Sequence, residues 1–205
     1  MRRTGSRGFT LLEVVLALAI LATMLTVLFG GLRVSLRAWA RGEERAETLQ
    51  HTRGLSQLIE QALAGIYTYQ GQTDQNSQPQ LLFAGEADRL SFVTVSPPMP
   101  FSVLVIFTAV SLTVSQGSSP GLTVREKALP NFDPFEEVAP SLVDPSVTAM
   151  RFRYLRGADG SWTDTWDVTE EQALPQAVEV TLTATVNGRT QEEPPITVPI
   201  RVTTP

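Results

Sequence analysis

The 205 residues are enough for one domain plus an accessory element, and the absence of cysteine excludes disulfides, thiolate nucleophiles and Cys-ligated zinc. The formal charge of −5 is unevenly spread: residues 1–53 carry eight arginines against four acidic residues (+4), whereas residues 54–205 carry eight basic and seventeen acidic residues (−9). An acidic body speaks against nucleic acid, whose phosphates need a cationic face, while the basic half flanks an apolar stretch and so points to a membrane surface.

From Phe9 to Leu32 only Thr10, Glu13, Thr23 and Thr26 are polar. At helical rise this run reaches about 36 Å, enough to cross a hydrocarbon core of roughly 30 Å. An ordinary secretory signal would have a shorter apolar core ending at a small-residue cleavage site. Here "ALA" at 17–19 lies mid-run, and "AWA" at 38–40 follows an overlong run and the charged segment 33–37. A membrane anchor that is retained is therefore expected. Arg2, Arg3 and Arg7 precede the span and Arg33, Arg37, Arg41 and Arg45 follow it, so charge alone leaves the orientation open. Glu13 is the anomaly in the run, because a carboxylate on a spanning helix costs a few kcal/mol and calls for a partner.

The stretch "RGFTLLEVVLALAIL", residues 7–21, resembles the class III signal of type IV pilins and type II secretion pseudopilins. The resemblance implies a leader of residues 1–8 ending in Gly8, removed by a prepilin peptidase on the cytoplasmic side. It also implies a mature chain that begins with N-methylated Phe9 and has Glu13 as its fifth residue. Cleavage creates a positive α-amine at Phe9, four residues before Glu13 and on the same helix face. The resemblance favours a pairing between subunits, in which the amine of one chain meets Glu13 of its neighbour.

No proline occurs before Pro79, so a helix can continue from the span through about Gly65. Apolar or small residues recur with helical spacing at Leu32, Leu36, Trp39, Ala46, Leu49, Ser56, Ile59, Leu63 and Ile66, with Leu55, Leu58 and Ala62 widening the stripe. The expected division is a spanning half over 9–32 and an amphipathic half over 33–68 that lies against a sheet. Gly30, Gly31, Gly42 and Gly54 each weaken the helix by about 1 kcal/mol relative to alanine. They fit close helix packing and a segment that stretches or bends equally well.

All fourteen prolines fall within 79–205, and the apolar period changes there. Strands are predicted at 89–95, 102–114 (one bent strand or two short ones), 121–129, 148–155, 177–186 and 196–204. Turn signals separate them, among them "SPPMP" at 96–100, "GADG" at 157–160, "NG" at 187–188 and "EEPP" at 192–195. The last two strands should form a hairpin with Pro199 at an edge or bulge. The polar, Gln-rich 70–80 reads as a mobile loop.

Residues 150–183, "MRFRYLRGADGSWTDTWDVTEEQALPQAVEVTLT", resemble the C-terminal region of the J-type minor pseudopilins of type II secretion. This implies a pilin-like α+β fold, with a long N-terminal helix packed on an antiparallel sheet body over 79–205. The implied location is the bacterial inner membrane, single-pass, with the C-terminal domain in the periplasm. The implied partners are the I- and K-type minor pseudopilins, the major pseudopilin and the prepilin peptidase. The implied role is to form the filament tip and prime assembly, without cofactor, metal or enzymatic chemistry. Two other readings remain open at this stage: a minor pilin of a type IV pilus or DNA-uptake system, and a single-span anchored binding module.

Residues that could carry chemistry are few. His51, the lone histidine, reads as a solvated helix residue with no carboxylate or reactive hydroxyl in prospect. Asp159, Asp164, Asp167, Glu170 and Glu171 form an acidic cluster without the spacing of a calcium loop, and so read as a solvated turn. Trp162 and Trp166 read as packing residues rather than a sugar platform. Neither a Walker nor a dinucleotide glycine pattern is present.

Overall fold

The computed structural model describes residues 10–72, 78–101, 104–117, 120–136, 138–157, 159–186 and 188–201, with backbone alone at 40–49, 186 and 189. The chain divides into two compact units, residues 1–50 and 51–205. One helix, α1 (Leu11–Ala64), runs through the first and into the second. It starts where Thr10 supplies a cap: the Glu13 N–H lies 3.0 Å from the Thr10 carbonyl and 3.3 Å from its hydroxyl. "TLLE" thus has the capping-box pattern, with Glu13 in the first turn.

The helix ends by design of its neighbours. Gly65 and Ile66 pair with the strand edge that follows, through Val95 N–H to the Gly65 carbonyl (3.0 Å) and Tyr67 N–H to the Val93 carbonyl (2.9 Å). The buried Thr94 hydroxyl donates to the Ala62 carbonyl at 2.8 Å, satisfying one of the acceptors that a helix C-terminus leaves open. A Cβ at Gly65 would fall 2.6 Å from the Thr94 hydroxyl oxygen, so only glycine permits this approach. The helix therefore stops at Ala64, within a residue of the expected end near Gly65, and its amphipathic half ends there and not at 68.

The body is all antiparallel. Its strands are β1 (Gln70–Gly71), β2 (Gln80–Leu81), β3 (Phe83–Gly85), β4 (Arg89–Thr94), β5 (Thr108–Ser115), β6 (Gly121–Ala128), β7 (Leu142–Asp144), β8 (Val147–Leu155), β9 (Trp162–Thr163) and β10 (Trp166–Asp167), followed by a single turn of helix α2 (Val168–Glu171) and by β11 (Ala177–Val186), β12 (Arg189–Glu192) and β13 (Ile196–Pro199). One sheet has the order β10-β3-β4-β5-β6-β7; a second has β12-β11-β8-β9, with β13 also on β11; β1 and β2 form a short ribbon.

Period-two alternation decides which faces meet. Leu90, Leu112 and Val124 lie opposite one another across β4, β5 and β6, as do Phe92 and Val110. In the second sheet Met150, Phe152 and Tyr154 face Leu182, Val180 and Val178. These residues are buried and belong to one core cluster, which also takes Leu55, Ile59, Ala62, Leu63 and Ile66 from the end of α1. Within residues 51–64 the buried positions 52, 55, 59, 62 and 63 recur at helical spacing, which is the amphipathic stripe read from the sequence. Tyr154 crosses the core beside Gly85 and donates its hydroxyl to the Glu86 carbonyl at 2.9 Å. Burial, with Glu86 and Asp88 nearby, pushes that hydroxyl well above the ordinary tyrosine range, so it serves as a neutral strut.

The strands at 89–95, 121–129, 148–155 and 177–186 form within a residue of their expected bounds. The run 102–114 does not: β5 begins only at Thr108. Its neighbours stop there, since β4 gives way to "SPP" and β6 meets Pro130, which has no N–H for the ladder. The expected hairpin of 177–186 with 196–204 exists with Pro199 opposite Ala177 on the sheet edge, but its second strand is shorter, and 202–205 lie outside the described residues. Val186 pairs with Arg189, so a further strand, β12, returns along β11 before β13, in addition to the expected hairpin. The ends of the Gln-rich 70–80 pair as β1 and β2, and 73–77 lie outside the described residues.

Candidate functional site

Gly8 and Phe9 lie outside the described residues. Glu13 stands in the first turn of a helix that is apolar on every side, with Leu11, Leu12, Val14, Val15 and Leu16 all exposed in succession. The stretch Leu11–Trp39, 29 residues, is long and apolar enough to cross a membrane, and none of its hydropathic window is buried within the protein. A helix apolar all round needs hydrocarbon or other helices as its surroundings. The two interior hydroxyls are satisfied locally, Thr23 donating to the Ile20 carbonyl (2.7 Å) and Thr26 to the Ala22 carbonyl (2.8 Å). Glu13 is the acidic group in this stretch, and its place at the helix start lets the N-terminal dipole offset part of the cost of its charge.

His51 is an exposed helix residue, as expected, but it has a carboxylate partner that the sequence did not put in prospect. Its Nε2 lies 2.7 Å from Oδ2 of Asp144, which is buried at the end of β7. Ser146 closes the group, with N–H at 2.9 Å and hydroxyl at 2.6 Å from Asp144 Oδ1. Burial tends to raise the Asp144 carboxyl, but the Ser146 hydroxyl and N–H, together with His51, hold it below the usual carboxylate value. The order of groups is wrong for nucleophilic catalysis, since the serine hydroxyl is bonded to the carboxylate and not to the imidazole. The trio ties the helix to the β7–β8 turn. Only "DPS", a sequence prone to side-chain-closed turns, hinted at it.

The acidic cluster is dispersed among separate partners. Asp159 accepts from the Ser161 N–H and hydroxyl (3.0 and 2.8 Å), and Asp167 caps α2 through the Thr169 N–H and hydroxyl (2.8 and 2.7 Å). Glu171 pairs with Arg156 at 2.8 Å, Asp164 lies 3.8 Å from Arg153, and Glu170 is exposed. No group of three metal-ligating side chains occurs among the described residues. Trp166 is buried, its indole N–H donating to the Ala173 carbonyl at 2.9 Å. Trp162 lies half-buried under the Arg153 guanidinium, 5.6 Å from the ring centre.

A long N-terminal helix with an exposed apolar stretch, a carboxylate in its first turn and its last turns in the core of an antiparallel body defines a pilin-like, membrane-anchored subunit. Residues 3–29 match the prokaryotic N-terminal methylation motif, and residues 30–192 match the family described as type II secretion system (T2SS), protein J. The type II secretion system protein J of Xanthomonas campestris pv. campestris is 30% identical over 175 residues, which cover 80% of this chain and 82% of that protein. The chain belongs to the type II secretion system protein J family, and its role is that of a minor pseudopilin in type II secretion. The type IV pilus alternative is not favoured.

Proposed function

We propose that the mature subunit begins at Phe9, N-methylated after cleavage behind Gly8, and that it is held in the inner membrane with residues 51–205 in the periplasm. There it joins the I- and K-type minor pseudopilins near the filament tip and primes addition of the major pseudopilin. Its role is structural: the side chains that could carry chemistry are engaged in caps, ion pairs and packing. Glu13 receives the α-amine of an adjacent subunit. The observation that supports this reading best is the position of Glu13, third in the turn that Thr10 caps and four residues beyond Phe9, at the head of an unburied apolar helix.

The test is co-purification of the full-length chain, solubilised in detergent, with the I- and K-type subunits expressed beside it. A stable complex that fails to form when Gly8 is replaced by a bulky residue is the expected result. A chain that recovers neither partner would refute the tip assignment.

A further inference from the structure

Glu13 and Arg33 are consecutive charges along α1, since residues 14–32 between them carry none. At helical rise they stand about 30 Å apart along the axis, which is the thickness of a hydrocarbon core. When Glu13 is at one boundary of that core, Arg33 is at the other. Arg37 follows about 6 Å and Trp39 about 9 Å further on, within the headgroup layer and at its outer edge. The 29-residue apolar stretch ends at Trp39, so it continues past the core on this side.

Arg33 and Arg37 are exposed, and neither makes an ion pair among the described residues. No carboxylate stands three or four positions from either, where the helix would bring one within reach. Their neighbours at that spacing are arginines instead, because the sequence places Arg33, Arg37, Arg41 and Arg45 four residues apart. Like charges so spaced destabilise a helix in water, and an external anion relieves them. Trp39, 73% exposed, has the apolar body and polar N–H that suit a membrane–water interface.

We propose that Arg33 and Arg37 bind the phosphodiester groups of anionic lipids in the leaflet where the helix leaves the membrane, with Trp39 seated among the headgroups. This collar sets the depth of the span and holds Glu13 at the opposite boundary. The guanidinium fork takes two phosphate oxygens at once, and the collar is continuous with the hydrocarbon-spanning surface, so lipid is the occupant that its position selects. In the free subunit Glu13 is then in contact with water, and its charge is desolvated only when the helix is drawn into a filament beside a neighbour's α-amine. The inference rests on the membrane-anchored reading above and adds the lipid class and the register of the span.

The test uses the full-length chain in phosphatidylcholine vesicles containing a minor fraction of phosphatidylglycerol. Spin-labelled phosphatidylglycerol should be several-fold enriched over spin-labelled phosphatidylcholine at the protein perimeter, and added salt should weaken that preference. Arg33→Gln with Arg37→Gln should lower it several-fold, whereas Arg33→Lys with Arg37→Lys should keep most of it. The chain has no cysteine, so single nitroxides at Leu12→Cys, Leu21→Cys and Leu36→Cys report depth. Leu21 should be deepest, with Leu12 and Leu36 at opposite headgroup levels. A preference unchanged by the glutamine pair would overturn the lipid assignment, and so would a glutamine pair that lost partner subunits while keeping its lipid preference. A label at Leu12 near the bilayer centre would overturn the register. Neither measurement needs leader cleavage or a partner, so a chain that fails to assemble leaves the lipid result standing.

Discussion

Asp144 holds the imidazole of His51 at 2.7 Å although 93 residues separate them, and the same carboxylate closes the β7–β8 turn through Ser146. One buried carboxylate thus fastens the helix to the body at the residue where the second unit begins. Asp144→Asn should lower stability by about 1–3 kcal/mol, because the Ser146 N–H, the Ser146 hydroxyl and the His51 imidazole lose a charged partner. The pH dependence has a definite sign. The folded carboxyl lies below its ordinary value of 3.8, so its contribution is full above that value and is lost as pH falls through the folded one. Denaturant midpoints measured from pH 6 to pH 2 should fall more steeply below about pH 4 in the parent than in Asp144→Asn. Parallel curves would remove Asp144 from the account.

The core makes a second prediction. Residues 34–205, lacking the span, should be soluble and unfold cooperatively, since the end of α1 and both sheets bury one cluster. Ile59 is 1% exposed, so Ile59→Asp should destabilise this fragment by several kcal/mol through an unpaired buried charge. A loss below about 1 kcal/mol on denaturant titration would place that face outside the core.

At the junction of helix and sheet, Gly65→Ala should cost about 1–3 kcal/mol, because its Cβ has no room beside Thr94. Thr94→Val, which removes the donor to the Ala62 carbonyl, should cost about 1 kcal/mol. Thermal denaturation of the two variants separates crowding from the lost hydrogen bond. A neutral Gly65→Ala would mean that β4 yields at Ser96 and Thr94.

The patterns that a sequence displays locally are the ones that proved legible. The apolar run, the stripe from Leu55 to Ile66 and the alternating strands at 89–95 and 148–155 each carry their period in consecutive residues. The pairing of His51 with Asp144 carries no such mark, because it joins two elements whose adjacency is a product of the finished sheet. The short strands β3, β7, β9 and β10 are equally invisible, because two or three residues are too few to display a period. At 102–114 local propensity misled, since strand formation there needed neighbours that proline had ended. Glu13 was legible as an anomaly, and the structure adds that Thr10 places it in a capping turn.

That position makes Glu13→Gln informative. Glutamine at this position keeps the capping-box geometry but removes the charge. Helix content and membrane insertion should therefore be unchanged, while co-purification with partner pseudopilins and secretion fall. Glu13→Ala, which keeps the backbone N–H that the Thr10 hydroxyl accepts, should do no worse in assembly if the charge is what matters. Wild-type secretion with Glu13→Gln would reduce Glu13 to a tolerated charge.

The most direct test of the central claim is intact-mass and N-terminal analysis of the chain recovered from bacterial inner membrane. A mature protein of 197 residues (9–205) beginning with N-methyl-Phe9 is the predicted result. A chain beginning at Arg41, or one retaining residues 1–8 in the presence of a prepilin peptidase, would contradict it.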